Sequence, residues 1–452
     1  MAAMYRTQGT ATDRKKFTVS MWVKIAKIGS EKTAYQFMDF YASGSDRISL
    51  YHNPTDYLQI YHEKANSGSN EVAWISDAII RDKTAWYHFV WRADSTQATA
   101  ADRFRVYING QLITLNSTTY PSQNFEFAQG TSSYVQYVGR YGGNTNNNFE
   151  GVMSHVNFCD GYSYGPDSFG STDATTGIWK INTSPSVTYG NNGFFLKMED
   201  TSNLDLDSSP NAHTFTTGGG TVTATKDCPS NNFATLNPLL QNNTATTYSN
   251  GNTKGTGTSS TSNFSSTPAT LAASVGKWYA EYKPNLSSTD SSISGFVNLD
   301  TANFNATDYY GGSNNMSAGL YDSGGQILHS TGTNLGSVGA LSNGDIVMLA
   351  MDLDNGYLYW GKNGTWFNSA NPATSGGTGG LALSNLGSNG TYTFLNGNRK
   401  SMGTEWNFGS GFFGTTAVAS ANADGNGIGA FEYSVPSGYY ALCTKNIKEF
   451  GG

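Results

Sequence analysis

The chain has 452 residues, a length of about two or three ordinary domains, and its composition excludes several classes of protein. Charged residues make up 13% and aromatic residues another 13%, with 53 glycines and 27 tyrosines. A disordered chain lacks so many aromatic residues and a helical protein has more Glu, Lys, Leu and Ala, so the composition indicates an all-β protein with polar turns. The net charge of −7 argues against a nucleic-acid partner, because phosphate binding needs clustered Lys and Arg.

The spacing of the cysteines and the N-terminal stretch bear on the redox compartment and the membrane targeting of the chain. The three cysteines, Cys159, Cys228 and Cys443, lie far apart without CxxC spacing, so neither a zinc site nor a disulfide framework is predicted. The opening MAAMYRTQGTATDRKKFT has no apolar signal segment, and no apolar run reaches the about 18 residues of a membrane span. We expect a protein folded in a cytosol with reduced thiols and without membrane insertion.

The N-terminal part has the pattern of a β-sandwich. Apolar and polar residues alternate along FTVSMWVKIAKI (17–28), which predicts a strand with two different faces. Asn109-Gly110 supplies the positive φ angles of a tight hairpin turn. Further strand-like runs occupy residues 33–42, 46–53, 57–63, 86–93, 103–110, 134–141 and 149–161. Short strands between polar turns predict an antiparallel jelly roll over residues 1–200.

The next part of the chain changes character. A short helix is predicted around Pro166 to Phe169, and residues 192–200 predict a last strand that returns to the first sandwich. Residues 201–232 contain few apolar runs and are predicted to be a connecting segment.

Residues 233–452 predict a second antiparallel β-sandwich. The polar region 241–265 is either a linker or a solvent-exposed hairpin or edge region, and we prefer the hairpin or edge region. No segment longer than about ten residues has helical periodicity. Strand-like runs occupy 276–284, 293–300, 316–322, 345–354, 356–364, 391–397, 405–413 and 438–444.

The stretch DLDNG (352–356) could begin a calcium loop or form the tip of a hairpin. A calcium loop starting at Asp352 would place Gly356 at position 5 and Asn363 at position 12, where oxygen ligands are required, so the ligand set fails. Apolar residues 346–351 precede it, Tyr-Leu-Tyr-Trp follows it, and Asn-Gly between two strands is a strong hairpin signal. We therefore predict a hairpin, with 346–351 as a strand buried on both faces.

Catalytic motifs are absent from the sequence. The Glu-x-Asp-x-x-Glu stretch of jelly-roll glucanases does not occur, nor do G-x-S-x-G, H-E-x-x-H or a phosphate-binding glycine loop. The acid pairs Glu199-Asp200 and Asp205/Asp207 lie in a turn-rich segment and are interpreted as capping or Asx-turn groups. His88 and His155 lie in strand patterns and are interpreted as packed core residues. We predict no catalytic residue, no metal site and no cofactor.

Three loops combine aromatic residues with asparagines, as sugar-binding loops do. Such strings also arise as ordinary polar turns whose aromatic residue packs inward, and the sequence leaves both interpretations open. Trp366 is the best single candidate because it follows an Asn-Gly turn. The candidate ligand-binding residues are Tyr141, Asn144, Asn147, Tyr309, Tyr310, Trp366 and Asn368.

Two family resemblances follow from these motifs. GDIVMLAMDLDNGYLYWGKNGTW, with GKWYAEY before it and EWNFG and PSGYYALCTKNI after it, resembles a SPRY domain over about residues 270–447. FTVSMWVKI, RDKTAWYHFVWRADSTQATAADRFRVYINGQ and FEGVMSHVNFCDGYSYGPDSFG resemble the concanavalin A-like, laminin-G-type jelly roll. The laminin-G calcium site and the SPRY peptide pocket do not match identifiable positions.

The combination of the two units is similar to virion structural and fibre-like proteins of tailed phages. That resemblance implies a surface protein of capsid or tail, made in the host cytoplasm, that binds host-surface glycan or other virion proteins without catalysis. It also implies a homo-oligomer, for which a trimer is one possibility. The alternatives are a purely structural decoration or connector protein and, less favoured, a polysaccharide depolymerase.

Overall fold

The computed structural model describes residues 3–451 except 33, 44–45, 64–69, 144–146, 242–245, 259–263, 287–291, 303, 305–316, 322–323, 330–333, 375 and 388. The chain folds into two compact units, Met1–Ala224 and Thr225–Gly452. Nearly all regular structure in the described residues is β, which confirms the all-β prediction.

The first unit contains two large antiparallel sheets. Its strands are β1 (Ala3–Thr7), β2 (Lys16–Ile25), β3 (Tyr35–Ser43), β4 (Asp46–His52), β5 (Tyr57–Glu63), β6 (Asn70–Ile79), β7 (Tyr87–Asp94), β8 (Phe104–Ile108), β9 (Gln111–Leu112), β10 (Leu115–Thr119), β11 (Val135–Val138), β12 (Gly151–Asp160), β13 (Gly170–Thr172), β14 (Trp179–Ile181), β15 (Phe194–Leu196) and β16 (Thr216–Gly218). Sheet A has the order β10-β6-β5-β4-β3-β11-β1-β16, and sheet B the order β15-β12-β2-β7-β8-β9. Strands β13 and β14 pair as a separate hairpin.

Short 3₁₀ helices connect these strands at Gly29–Glu31, Ala100–Asp102, Ala128–Gly130 and Pro166–Ser168. The last of them confirms the predicted short helix. Asn109 and Gly110 have φ angles of 48° and 81°, so the predicted Asn-Gly turn joins β8 and β9.

Sheet B is buried on both faces. Phe17, Val19 and Met21 of β2 belong to the core between the two sheets. On the opposite face, Val90 and Cys159 pack beneath the segment after β12 in a second apolar cluster. Alternation along β2 therefore separates two buried environments, and the strand is buried over nearly its whole length.

The segment expected to connect the sandwiches is divided between the units. Strand β16 pairs with β1, and the Asp207 carboxylate accepts the Phe195 N–H at 2.9 Å, so residues up to 224 pack with the first unit. The Thr225 hydroxyl donates to the Ser410 carbonyl in the second unit.

The second unit is also built from two large sheets. Its strands are β17 (Thr246–Ser249), β18 (Lys254–Gly257), β19 (Ser265–Pro268), β20 (Lys277–Asn285), β21 (Ile293–Asn298), β22 (Ser317–Tyr321), β23 (Gln326–His329), β24 (Asn334–Ser337), β25 (Val347–Asp352), β26 (Tyr357–Lys362), β27 (Thr365–Trp366), β28 (Leu381–Ala382), β29 (Tyr392–Asn398), β30 (Gly403–Asn407), β31 (Phe412–Phe413), β32 (Thr416–Ala417) and β33 (Tyr440–Ala441). Sheet C has the order β17-β18-β30-β20-β25-β26-β27, with β28 also paired to β26 and β33 to β20, and sheet D the order β19-β29-β21-β22-β23-β24.

Helical structure in the second unit is short. In the part of this unit that the structure describes, it consists of the 3₁₀ helices Phe367–Ser369 and Leu383–Leu386 and one α-helix, α1 (Thr444–Phe450). The polar region 241–265 contains the hairpin β17–β18, which pairs with β30. The preferred hairpin interpretation is thus confirmed for the residues described there.

Sheet C has an apolar layer on each face. Val347, Leu349 and Met351 of β25 belong to the core that sheet C shares with sheet D. Met348 and Ala350 point the other way, into a cluster with residues of the C-terminal segment. The predicted burial of residues 346–351 on both faces is therefore confirmed.

DLDNG forms the tip of the β25–β26 hairpin, as predicted, but not as a two-residue turn. Asp352 pairs with Tyr357, and the Gly356 N–H donates to the Asp352 carbonyl at 2.9 Å across a longer loop. The Asp352 carboxylate accepts the backbone N–H and the side-chain amide of Asn355, each at 2.9 Å. It also contacts Lys277 Nζ at 2.9 Å, so the aspartate stabilises the turn.

A buried carboxylate holds the C-terminal segment against the outer face of sheet C. Glu281 accepts the N–H groups of Glu432 and Tyr433, both at 2.9 Å. The Tyr279 hydroxyl donates to it at 2.9 Å and the Asn407 amide at 3.4 Å. Burial raises the pKa of Glu281 to about 7, although these hydrogen bonds oppose the shift.

We expect Gly356→Ala to destabilise the second unit by about 1 kcal/mol, because φ is +78° there and a side chain disfavours that conformation. Steric overlap is not the cause, since the nearest atom to an added Cβ is Leu383 Cβ at 3.9 Å. Denaturant unfolding measures the change. Gly165→Ala is the matched control, at φ −78° with open space, and should leave stability unchanged or slightly raised. Equal losses of unfolding free energy in Gly356→Ala and Gly165→Ala would contradict the assignment to the positive φ of Gly356.

Glu281 should make the second unit less stable as the pH rises from 4.5, its ordinary pKa, to about 7. The Glu281 carboxyl binds its proton more tightly in the folded state than in the unfolded chain. The contribution of this proton to the unfolding free energy is therefore complete below pH 4.5 and is lost as the pH rises through 7, by up to about 3 kcal/mol. Glu281→Gln cannot titrate. The unfolding free energy of the native protein should fall relative to that of this variant as the pH rises over that range, and parallel pH curves would contradict the assignment.

Candidate functional site

The outer face of sheet A carries a row of aligned polar and aromatic side chains. Cross-strand pairs place Tyr61 of β5 opposite Ser49, Ser49 opposite Asp39, Asp39 opposite Tyr137, and Tyr137 opposite Tyr5. Their neighbours along each strand point into the core, so strand alternation directs this row outward. From β5 to β1 the row crosses adjacent strands over about 19 Å.

Two arginines lie over the tyrosine rings. Arg47 Cζ lies 4.6 Å from the ring centroid of Tyr141 and 5.2 Å from that of Tyr61. Arg140 Cζ lies 5.4 Å from the ring of Tyr137. A guanidinium over an aromatic face is attractive and holds both groups in place.

The tyrosine rings also contact one another. Tyr41 meets Tyr141 edge-on at 5.5 Å, and Tyr5 lies 5.6 Å from Tyr137. All of these side chains are half-buried, so part of each ring is open to solvent. We name this surface the tyrosine face; it consists of Tyr5, Tyr41, Tyr61, Tyr137, Tyr141, Arg47 and Arg140.

The loop between β11 and β12 is held onto the tyrosine face by a buried carboxylate. Asp39 accepts the Ser49 hydroxyl at 2.6 Å on one oxygen and the Gly142 N–H at 2.8 Å on the other. Burial raises the pKa of Asp39 to about 6. Gly142 packs so closely on Tyr41 that an added Cβ would lie 2.4 Å from the ring, so this approach requires glycine.

This arrangement is suited to binding an extended polar molecule. Partly exposed tyrosine rings pack against apolar C–H patches, while their hydroxyls and the guanidinium groups form hydrogen bonds. Five of the seven side chains, those of Tyr5, Tyr41, Arg47, Tyr61 and Tyr137, are positioned on paired strands, so little ordering is needed on binding.

Two of the loop residues predicted from sequence lie at this face. Tyr141 contacts Arg47 and Tyr41, and its N–H donates to the Asn147 carbonyl at 3.3 Å. Asn144 lies outside the described residues. Tyr5, Tyr41, Tyr61 and Tyr137 were not predicted; the signal that could have found them is the tyrosine at the polar position of several alternating strands.

The remaining predicted residues belong to the second unit. Trp366 is half-buried, with its ring 6.3 Å from that of buried Tyr279, in the apolar layer on the outer face of sheet C. Asn368 is exposed, with φ of 50°. Tyr309 and Tyr310 lie outside the described residues.

A shallow depression of about 460 Å³ lies elsewhere on the first unit. It is lined by Thr12, Tyr162, residues 187–191, Pro210 and Asn211. The Thr12 hydroxyl already accepts the Asn191 N–H at 2.7 Å, and the Asn211 amide donates to the Gly190 and Gly193 carbonyls. Since these polar groups serve the fold, the tyrosine face is the stronger candidate.

His88 has a hydroxyl neighbour but the wrong tautomer for a general base. The Trp179 indole N–H donates to His88 Nδ1 at 3.0 Å, and indole nitrogen can only donate. Nδ1 is therefore the acceptor and Nε2 carries the proton toward Ser20 Oγ at 2.9 Å. Burial lowers the pKa of His88 to about 3, and the ring stacks between Trp22 and Trp179 as a core residue.

Ser154, His155 and Glu199 have the residue types of a catalytic triad. Ser154 Oγ lies 2.7 Å from His155 Nδ1, and Glu199 lies 3.3 Å from Nε2. However, Ser154 is 9% exposed, which leaves little approach for a substrate carbonyl. His155 has φ of 51° at an irregularity in the β12–β2 pairing, so the cluster marks a bulge in a strand.

One member of each acidic pair serves a turn, as predicted. Asp200 accepts the Ser202 N–H at 2.9 Å and Asp207 the Ser209 N–H at 2.9 Å, each two residues ahead. Among the described residues there is no group of three or more His, Cys, Asp or Glu side chains that could hold a metal ion. Nor does that part of the chain contain a helix long and apolar enough to cross a membrane.

Comparison with known proteins gives a family match within the first unit. Residues 4–162 match the family model described as the concanavalin A-like lectin/glucanases superfamily. No curated protein matches the chain. The solved structures similar to it include the SPRY domain of human HERC1, with a TM-score of 0.28 and 11% identity over 38% of this chain and 96% of that one.

Two further similar structures come from a bacterium and an arthropod. Ruminococcus gnavus IT-sialidase CBM40 bound to alpha2,3 sialyllactose has a TM-score of 0.25 and 15% identity, over 31% of this chain and 73% of that one. The heptameric SAP-like pentraxin from Limulus polyphemus has a TM-score of 0.26 and 16% identity, over 35% and 70%. Over residues 4–162 the first unit is therefore similar to the concanavalin A-like lectin/glucanases superfamily, within an all-β chain.

Proposed function

We propose that the protein is a virion surface protein of a tailed phage, on capsid or tail, and that the tyrosine face of its first unit binds a host-surface glycan without catalysis. The observation that supports glycan binding is the row of half-buried tyrosines and arginines across sheet A. The concanavalin A-like match over residues 4–162 is consistent with it, since that superfamily includes lectins.

The virion assignment rests on the resemblance of the paired sandwiches to phage structural and fibre-like proteins. Location on a particle would supply many copies of a weak site, and effective concentration would then raise the avidity well above that of one site. Homo-oligomeric assembly, with a trimer as one form, and contacts with other virion proteins belong to the same proposal.

Binding without chemistry is supported by the state of the candidate nucleophile–base pairs. The Ser20–His88 pair is buried with the proton on the serine side, and Ser154 is nearly inaccessible. In this proposal the histidines stabilise the sandwich and the tyrosines contact the ligand.

A decoration or connector protein without a host ligand is the second candidate. Leu239 is 95% exposed in the second unit, and its neighbour Leu240 is 39% exposed. An apolar side chain open to solvent gains stability when another virion protein covers it.

Tyr61→Ala or Tyr137→Ala should weaken glycan binding by about 10-fold, because each removes one ring of the face. A glycan array on the intact protein identifies the ligand, and titration of that glycan measures the loss. Tyr61→Phe keeps the ring and should retain affinity within about 3-fold. Tyr162→Ala, which alters the depression instead, should bind normally.

Other outcomes separate the candidates. If Trp366→Ala loses glycan binding and Tyr61→Ala keeps it, the glycan site lies in the second unit. Release of reducing sugar from the bound glycan would overturn the non-enzymatic assignment. Absence of binding on the array would favour decoration, and immunogold labelling of particles would show whether the protein lies on capsid or tail.

A further inference from the structure

We propose that Asp39 is a positioning residue of the glycan site, whose ionised carboxylate holds Gly142, and with it the adjoining Tyr141, in place on the tyrosine face, so that glycan affinity falls when Asp39 is protonated. This inference rests on the proposed function of that face. It concerns a group that touches the loop rather than the ligand.

Asp39 occupies an unusual place for a carboxylate. Strand alternation directs it outward with Tyr137 and Ser49, yet its side chain is fully buried, with the backbone of Gly142 bonded to it. A charged group taken out of water needs compensating hydrogen bonds. Here the Ser49 hydroxyl and the Gly142 N–H supply one bond to each oxygen.

The hydrogen bond from Gly142 to Asp39 also positions the neighbouring side chains of the tyrosine face. Gly142 follows Tyr141, whose ring lies over Arg47 at 4.6 Å and against Tyr41 at 5.5 Å. Gly142 itself packs on the Tyr41 ring. A loop held less tightly at Gly142 would therefore leave Tyr141 less well positioned.

Protonation of Asp39 weakens the bond to Gly142 whichever oxygen takes the proton. A proton on the oxygen facing Gly142 would point at the N–H, donor against donor, and break the bond. A proton on the other oxygen would require the Ser49 hydroxyl to reverse, and the bond to Gly142 would lose its charge assistance.

The charged and titratable groups on the elements around Asp39 are few. Arg47 on β4 favours the ionised form, whereas burial favours the neutral form and prevails, so the pKa of Asp39 is raised to about 6. Tyr41 lies on the same strand, and Tyr137 on the neighbouring strand β11 has its own pKa raised, chiefly by burial. Arg140 and Tyr141 lie on the loop.

The test measures the affinity for the array-identified glycan between pH 5 and pH 8. The intact protein should bind about 5-fold more weakly at pH 5 than at pH 8, with a midpoint near 6. Asp39→Asn cannot ionise, so it should bind weakly at every pH, without that midpoint. Ser49→Ala removes a bond that favours the ionised form and should move the midpoint to higher pH, a shift that a merely structural role would not produce.

Hydrogen exchange of the loop gives a readout that does not depend on ligand. The peptide containing Gly142 should exchange faster in Asp39→Asn than in the intact protein at pH 8, with the two converging at pH 5. Glycan binding that is equal at both pH values, or an Asp39→Asn variant that keeps the pH profile, would overturn this inference and leave the proposed function intact. No glycan binding at any pH would overturn both.

Discussion

Antiparallel pairing within sheet A is the constraint on which the rest of the first unit depends. Because successive side chains point to opposite faces, the register that buries Phe40, Ile48 and Ile60 also turns their neighbours Tyr41, Arg47 and Tyr61 outward. A slip of one residue would exchange the two sets and place arginine and tyrosine hydroxyls in the core. The hydrophobic core and the tyrosine face are thus two consequences of one register.

Buried carboxylates provide the second organising interaction, and each holds a loop to a sheet or to another loop. Asp39 accepts the N–H of Gly142, and Glu281 accepts those of Glu432 and Tyr433. In the first unit, Asp56 likewise accepts the Gly29 N–H and contacts Lys32 Nζ, both at 2.6 Å. Burial of such a group costs free energy unless donors surround it, so each carboxylate specifies one position of the loop that supplies them.

Several features could be predicted from sequence because their causes are local. Alternation along residues 17–25 predicted β2, and the apolar run before DLDNG predicted β25 with both faces buried. Ligand spacing excluded a calcium loop at Asp352. The sequence predicted a hairpin at DLDNG without its turn type. In the structure the hydrogen bond from Gly356 to Asp352 closes a loop longer than two residues, and the Asp352 carboxylate also binds Asn355.

The sequence by itself determined the fold class, most strand positions and the lack of catalytic motifs, since these depend on short-range periodicity and spacing. It also placed Tyr141 and Asn147 in a polar loop. Only the tertiary structure decided that Tyr5, Tyr61 and Tyr137 share a face with Tyr141, and that Trp366 packs on Tyr279. The physical reason is that a sheet brings together strands distant in the chain, and that pairing depends on the whole core rather than on any one segment.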